Sequence, residues 1–205
     1  MVRFSVCRLG INKYHIACYL ISYIIAYTIV NQYSLSQQTI VQQKVSAQHT
    51  SNFLTYENPT YGIKMQYPAD WTASTNALET YSGIVGFYSP LQNLTDVLPA
   101  QVSLSIRTYS QNVSLDEYTN ITLAAVKQQG LELGESNAFT LDGKPGHRII
   151  FSPPINAPIT FSVMQAWTVI GNKVCLLSYN AEGSEFQNYL PIVQQMLSSL
   201  QIQQT

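Results

Sequence analysis

Tyr61-Gly62-Ile63-Lys64-Met65-Gln66-Tyr67-Pro68-Ala69-Asp70-Trp71 alternates as a strand does and then stops at a proline. Ile63, Met65 and Tyr67 fall on one face at period two, with Lys64 and Gln66 on the other, the pattern of a half-buried strand with one side against a core. Pro68 ends the ladder because it has no N–H to donate, and Trp71 follows where an indole can cover the end of a sheet. Everything upstream of this stretch reads as export and tether, and everything downstream as one folded domain.

The chain has 205 residues, of which about 150 lie beyond the export region, enough for a single core. Charged residues make up 10% of it, against a usual share of about 25%. The polarity comes from Gln, Asn, Ser, Thr and 14 tyrosines. Arg3, Arg8, Lys13 and Lys44 are the only charges in the first 56 residues. From Glu57 onward six of the ten basic residues face all 11 acids, a formal net charge of −5, which argues against binding nucleic acid through phosphate contacts.

Arg3, Arg8 and Lys13 precede the apolar run Ile16–Val30, which has the length of a signal peptide and its positive charges on the cytoplasmic side. Residues 1–30 are therefore a signal peptide or an N-terminal membrane anchor. Val45-Ser46-Ala47 resembles a cleavage site but lies well beyond the run, and the run reaches the roughly 20 residues of a membrane span only with Tyr14 and His15 included. Residues 31–51 are rich in Gln and Ser without periodicity and read as a linker or stalk. Residues 52–205 are the domain, placed outside the cell membrane, secreted or anchored to its outer face. Three glycosylation sequons fall in it, at Asn93, Asn112 and Asn120, whereas Asn58-Pro59-Thr60 is excluded by its proline.

Within the domain, Gly83–Ser89 and Gln101–Tyr109 read as strands, the second with Val102, Leu104 and Ile106 alternating against Ser103, Ser105 and Arg107. Ser114-Leu115-Asp116-Glu117 is a capping box. It opens a helix to about Gln129, stopped by Gly130, with Tyr118, Thr122, Ala125 and Val126 as its inner stripe. Strands resume at Asn137–Leu141, turn at Asp142-Gly143 and continue through His147–Phe151. Gly171-Asn172 joins Phe161–Ile170 to Lys173–Tyr179 as a hairpin. Ser184 caps a last helix whose inner face is Phe186, Leu190, Val193, Leu197 and Leu200, with Pro191 expected to kink or restart it. Together these elements predict an α+β fold with a single antiparallel sheet.

The order of elements resembles the PsbP-like family, and more broadly the Mog-type and DcrB-type α/β/α sandwiches, over roughly Phe53 to Ile202. The residues that carry the resemblance are Tyr61-Gly62-Ile63 leading to Tyr67-Pro68-Ala69-Asp70-Trp71, Ser114-Leu115-Asp116-Glu117-Tyr118, Leu141-Asp142-Gly143-Lys144-Pro145-Gly146-His147-Arg148, Gln165-Ala166-Trp167-Thr168, Val174 to Tyr179, and Leu197-Ser198-Ser199-Leu200. The resemblance implies a central antiparallel sheet with helices on both faces and a non-enzymatic extracytoplasmic role. The photosynthetic role does not carry over, because the proposed metal positions of that family need histidines with acidic partners and this domain holds one, His147.

Chemistry has few residues to work with. A metal site needs convergent His, Cys or carboxylates, and the one local grouping is Asp142 with His147. Serine catalysis needs a base beside a serine, and His147 is the sole candidate. Cys175 lies in an apolar strand, the setting of an inert thiol. Asp116-Glu117 is accounted for by the helix cap, and Glu132 and Glu135 by a solvated loop. Trp71 and Trp167 read as core residues, with a ligand platform as the other reading. No cofactor, catalytic or metal residue is assigned, and the expected function is a non-catalytic envelope binding or accessory module. Its expected partners are the membrane, through an uncleaved N-terminus, and an envelope protein. The rival readings are a small secreted hydrolase and a metal-binding accessory protein.

The leader makes a direct prediction: residues 52–205 are digested by protease added to intact cells. Protection in intact cells with digestion after lysis would refute export. A mature N-terminus at Gln48 marks cleavage, and an intact Met1 end in membranes marks an anchor.

Overall fold

The computed structural model describes residues 52–75, 83–91, 99–154, 157 and 161–203. The leader, the linker and Asn93 lie outside the described residues. Among the described residues, no helix is long and apolar enough to cross a membrane.

Among the described residues, ten strands and two helices follow in the order β1 (Phe53–Asn58), β2 (Ile63–Pro68), β3 (Thr72–Ser74), β4 (Gly83–Tyr88), β5 (Gln101–Thr108), α1 (Leu115–Gln128), β6 (Glu132–Leu141), β7 (Lys144–Ser152), β8 (Phe161–Ile170), β9 (Lys173–Glu182), α2 (Gly183–Ser199) and β10 (Gln201–Ile202). The α+β class holds. The single sheet does not, because the strands divide into a three-stranded sheet, β1-β2-β10, and a seven-stranded sheet, β3-β4-β5-β9-β8-β7-β6, antiparallel throughout.

The division happens where the opening stretch predicts a stop. Ile63 and Met65 are buried and Lys64 and Gln66 exposed, and Pro68 closes β2. The turn that follows, held by Trp71 N–H to Pro68 O at 3.0 Å, delivers the chain to β3 at the margin of the large sheet. Trp71 is 4% exposed and its ring meets Tyr189 of α2 edge to face at 5.6 Å, so it is a core residue. Phe87 of β4 touches the rings of Tyr56 and Tyr67 at 5.8 and 4.8 Å, which binds the small sheet to the large one.

Two buried clusters divide by alternating residues along the large sheet. Val102, Leu104, Met164, Ala166, Cys175, Leu177 and Tyr179 pack with β2 and with Phe186, Val193, Met196 and Leu197 of α2. Ile149, Phe151, Val163, Trp167, Val174 and Leu176 pack with Tyr118 and Val126 of α1. Adjacent residues of a strand point to opposite sides, so the two clusters lie on opposite sides of this sheet.

Helix α1 matches its expectation. Ser114 Oγ accepts from Glu117 N–H at 3.1 Å, Gly130 has φ +68°, and the stripe Tyr118, Thr122, Ala125 and Val126 is buried together with Thr119. The Gly171-Asn172 hairpin also forms. Ser184 is not the cap of α2: Glu182 is the N-cap and the helix begins at Gly183, so Ser184 lies within the first turn. Helix α2 does not restart at Pro191 but runs through it. Strand β6 begins five residues before the expected Asn137, so Glu132 and Glu135 lie on a strand and not in a loop.

Gly62 makes the closure of the small sheet possible. Its φ is +62°, and a Cβ there would sit 2.5 Å from the Gln203 carbonyl oxygen, where β10 lies against β2 and Gln203 N–H donates to Gly62 O at 2.8 Å. Gly62→Ala is expected to cost about 1–3 kcal/mol or more, since left-handed strain and a backbone clash coincide. Ser114→Ala is expected to cost about 1 kcal/mol through the lost cap. Denaturant unfolding of both variants checks the order, and a Gly62→Ala chain as stable as the parent would remove the closure argument.

Candidate functional site

On the α1 side of β6, β7 and β8 the large sheet sets one ionisable ring, His147, between a serine and an indole. The hairpin β6–β7 turns at Asp142 and Gly143, both with positive φ (49° and 72°), as a two-residue turn of the favoured twist requires. That turn sets Leu141 opposite Lys144 and Ala138 opposite His147, and β8 then sets Trp167 beside His147. The His147 ring lies tilted on the Trp167 indole at 5.5 Å, and its Nε2 is 2.9 Å from Ser136 Oγ. Trp167 is itself held, its Nε1–H donating to Thr119 Oγ1 of α1 at 3.3 Å.

Desolvation lowers the His147 pKa, and the Asp116 charge at the start of α1 works in the opposite direction without reversing it. The imidazole is therefore neutral at neutral pH. Among the described residues Ser136 is its hydrogen-bond partner, and Asp116 acts on it through charge alone.

Asp142 and His147 are not brought together as a ligand pair. The Asp142 Oδ2 accepts from Lys144 Nζ at 2.8 Å and from Ile202 N–H at 2.9 Å. Partial burial pushes this carboxyl up, but those two hydrogen bonds and the Lys144 charge outweigh it and leave the pKa below the usual value. Among the described residues no three His, Cys, Asp or Glu side chains gather as a metal site. Cys175 is buried, and desolvation pushes its thiol up to about 12, with Lys144 opposing weakly, so it is not a thiolate. Glu135 reaches Arg148 Nη2 at 3.3 Å. Asn112 and Asn120 are exposed.

One arrangement escaped the sequence reading. Ser103 and Gln101 of β5, Ser178 and Asn180 of β9 and Gln165 of β8 are buried neighbours, paired Gln101 with Asn180 and Ser103 with Ser178, which pairs on with Gln165. They form a neutral polar patch on the side of the sheet that carries α1. Gln101 Nε2 donates to Tyr88 Oη at 3.4 Å, and burial raises the Tyr88 pKa. Asn180 Oδ1 is buried without a partner among the described residues, an acceptor left for a donor. The alternation of β5 placed Ser103 on the outer side, and outer here means the other covered face. Such a patch can hold neutral polar groups and supplies no acid, base or nucleophile.

No protein-family model and no curated protein sequence matches the chain. Solved structures do. The cyanobacterial PsbP (CyanoP) of Synechocystis sp. PCC 6803 superposes with a TM-score of 0.55 over 78% of this chain and 98% of its own, at 13% identity. The fold is the PsbP/Mog1 fold. LpqN of Mycobacterium tuberculosis matches with a TM-score of 0.55 at 16% identity, over 75% of this chain and 91% of its own. The Saccharomyces cerevisiae Ran-binding protein Mog1p matches with a TM-score of 0.51 at 10% identity, over 75% and 96%. At these identities the likeness to PsbP, LpqN and Mog1p concerns architecture.

The lowered His147 pKa has a definite sign. The folded chain resists a proton that the unfolded chain accepts near pH 6.5, so the contribution to stability is present above that value and is lost as pH falls from about 6.5 toward the folded pKa. The parent is expected to lose thermal stability between pH 7.5 and 5.5 relative to His147→Gln. Parallel pH profiles for the two proteins would show that the ring is solvated in the fold.

Proposed function

We propose that this chain is a non-catalytic, extracytoplasmic accessory or binding module of the cell envelope, a PsbP-like domain carried on a polar stalk outside a membrane. In this reading the seven-stranded sheet is the middle layer of an α/β/α sandwich, with α1 on one side and α2 with the small sheet on the other. The observation that carries the proposal is the match of the domain to nearly the whole length of CyanoP, behind a basic, apolar leader. Two further structures of this fold support it by their descriptions: LpqN is involved in cell envelope biogenesis, and Mog1p is a Ran-binding protein. Several of the domain's ionisable side chains have structural uses consistent with this role: Asp142 fastens β10, Glu135 pairs with Arg148 and Cys175 fills the core.

The contact between Ser136 Oγ and His147 Nε2 favours a second reading, a hydrolase with a serine nucleophile and a histidine base. It is the weaker one, because no carboxylate hydrogen-bonds the His147 ring among the described residues and so nothing orients it as a base.

Cross-linking on intact cells with a membrane-impermeant reagent, followed by purification of the full chain, is expected to recover a defined envelope protein. Turnover of ester, glycoside or peptide substrates, lost in both Ser136→Ala and His147→Ala, would establish the hydrolase instead. Calorimetry with calcium, manganese and zinc is expected to show no binding at micromolar levels, and binding lost in His147→Ala would establish the metal-binding reading.

A further inference from the structure

The large sheet ends on one side at β3, three residues long, and on the other at β6, ten residues long and exposed along its first seven positions. Natural edge strands block unwanted pairing with lysine, proline, charge or a bulge. Glu132–Leu141 contains neither lysine nor proline, and its two charges, Glu132 and Glu135, lie in its first four positions. Its bulge, between Leu133 and Glu135, protects only the beginning and leaves Glu135–Leu141 as a regular edge, open among the described residues.

The turn determines which backbone groups face outward. In a two-residue hairpin the flanking residues, here Leu141 and Lys144, form the hydrogen-bonded pair, and alternate pairs then bond to each other or away from each other. Leu141, Phe139, Asn137 and Glu135 therefore bond to β7, while Thr140, Ala138 and Ser136 direct N–H and C=O to the free edge. Pro145, opposite Thr140, fits this register, since that position has no N–H to give to β6.

We propose that two copies of this chain pair antiparallel through their β6 edges, about a two-fold axis at Ala138. This register engages all three outward residues at once: Ala138 faces its own copy and Ser136 faces Thr140, so every outward N–H meets an outward C=O. On the opposite side of the strand Asn137 faces Phe139 and Glu135 faces Leu141. No like charges stand opposite, which would otherwise destabilise the pair, and Glu135 enters already paired with Arg148 at 3.3 Å. Ser136, Ala138 and Thr140 share the α1 side and are exposed, so α1 does not cover them. The interface is isologous and closes at two copies. It goes beyond the accessory role and does not rest on it.

The test uses the full chain in membranes, with Cys7→Ser and Cys18→Ser as background and Cys175 left buried. Residues in a hydrogen-bonded antiparallel pair have Cα atoms about 5.5 Å apart, within the disulfide range of about 4.4–6.8 Å. Ala138→Cys is expected to form a covalent dimer under mild oxidation, and Lys127→Cys, exposed on the last turn of α1, is not. Ala138→Pro removes one outward N–H from each copy and none that β7 uses. It is expected to weaken the dimer of the detergent-solubilised chain by about tenfold or more in sedimentation, with an unchanged melting temperature. A parent chain monomeric in both membranes and detergent overturns the proposal, as does equal cross-linking at Lys127→Cys or an undiminished Ala138→Pro dimer. Should Ala138→Pro fail to fold, the two cysteine variants decide.

Discussion

The hydrogen bond from Ile202 N–H to the Asp142 carboxylate, at 2.9 Å, joins the two sheets of this fold at their remotest point in the chain. Asp142 belongs to the tight turn between β6 and β7 of the large sheet, and Ile202 to the last strand of the small one. Lys144 completes the junction, reaching Asp142 Oδ2 and Ile202 O from the same ammonium. Hydrogen bonds to a charged group contribute about 1.5–3 kcal/mol. This one does more than add to a sum, because it sets where α2 must end. A helix that leaves β9 and returns to β2 links the two sheets, and its inner residues Phe186, Val193, Met196 and Leu197 are buried in the cluster that β2 shares with β8 and β9.

Asp142 also shows how a turn residue can mimic a site. It needs a positive φ, which aspartate tolerates better than most residues, and it sits near a histidine in sequence. The strand register separates the two, since the side chain at Lys144 and the one at His147 project to opposite sides of the sheet. Spacing along a hairpin is therefore a poor guide to ligand pairs unless the parity of the strand is followed.

What could be read from the sequence was local. The Ser114 cap and the 3.6-residue stripe of α1 lie within one helix, the Gly171-Asn172 turn lies between two β-prone runs, and the Ile63–Tyr67 alternation ends at its own proline. The Ser136–His147 contact was also within reach: a two-residue turn at Asp142-Gly143 places Ala138 opposite His147, and Ser136 is the next side chain on that face. The split into two sheets was not readable, because it depends on β10, whose two residues carry no periodicity and pair with β2 across most of the domain. The start of β6 was not readable because Glu132–Ser136 holds a single apolar side chain, Leu133, itself exposed, so alternation has nothing to mark. The buried polar patch was hidden for the opposite reason, as alternation distinguishes the two faces of a strand without saying that both are covered.

With a buried cluster on each side of the large sheet, its ends and edges are where backbone and side chains stay exposed. The apolar residues of β8 and β9 are taken up by the two clusters, and the short β3 offers little backbone to a partner. The small sheet presents β1, six residues long, whose exposed Glu57 is already paired with Lys64 at 2.6 Å. The patch of Gln101, Ser103, Gln165, Ser178 and Asn180 is neutral and buried, suited to hydrogen bonding within the fold. Among the described residues, that leaves the β6 edge with the Ser136–His147 pair as the surface where unmatched backbone groups, an ionisable ring and exposed side chains coincide. Backbone pairing asks only for an extended partner of compatible charge, and a second copy of β6 meets both conditions without drawing on further ionisable side chains.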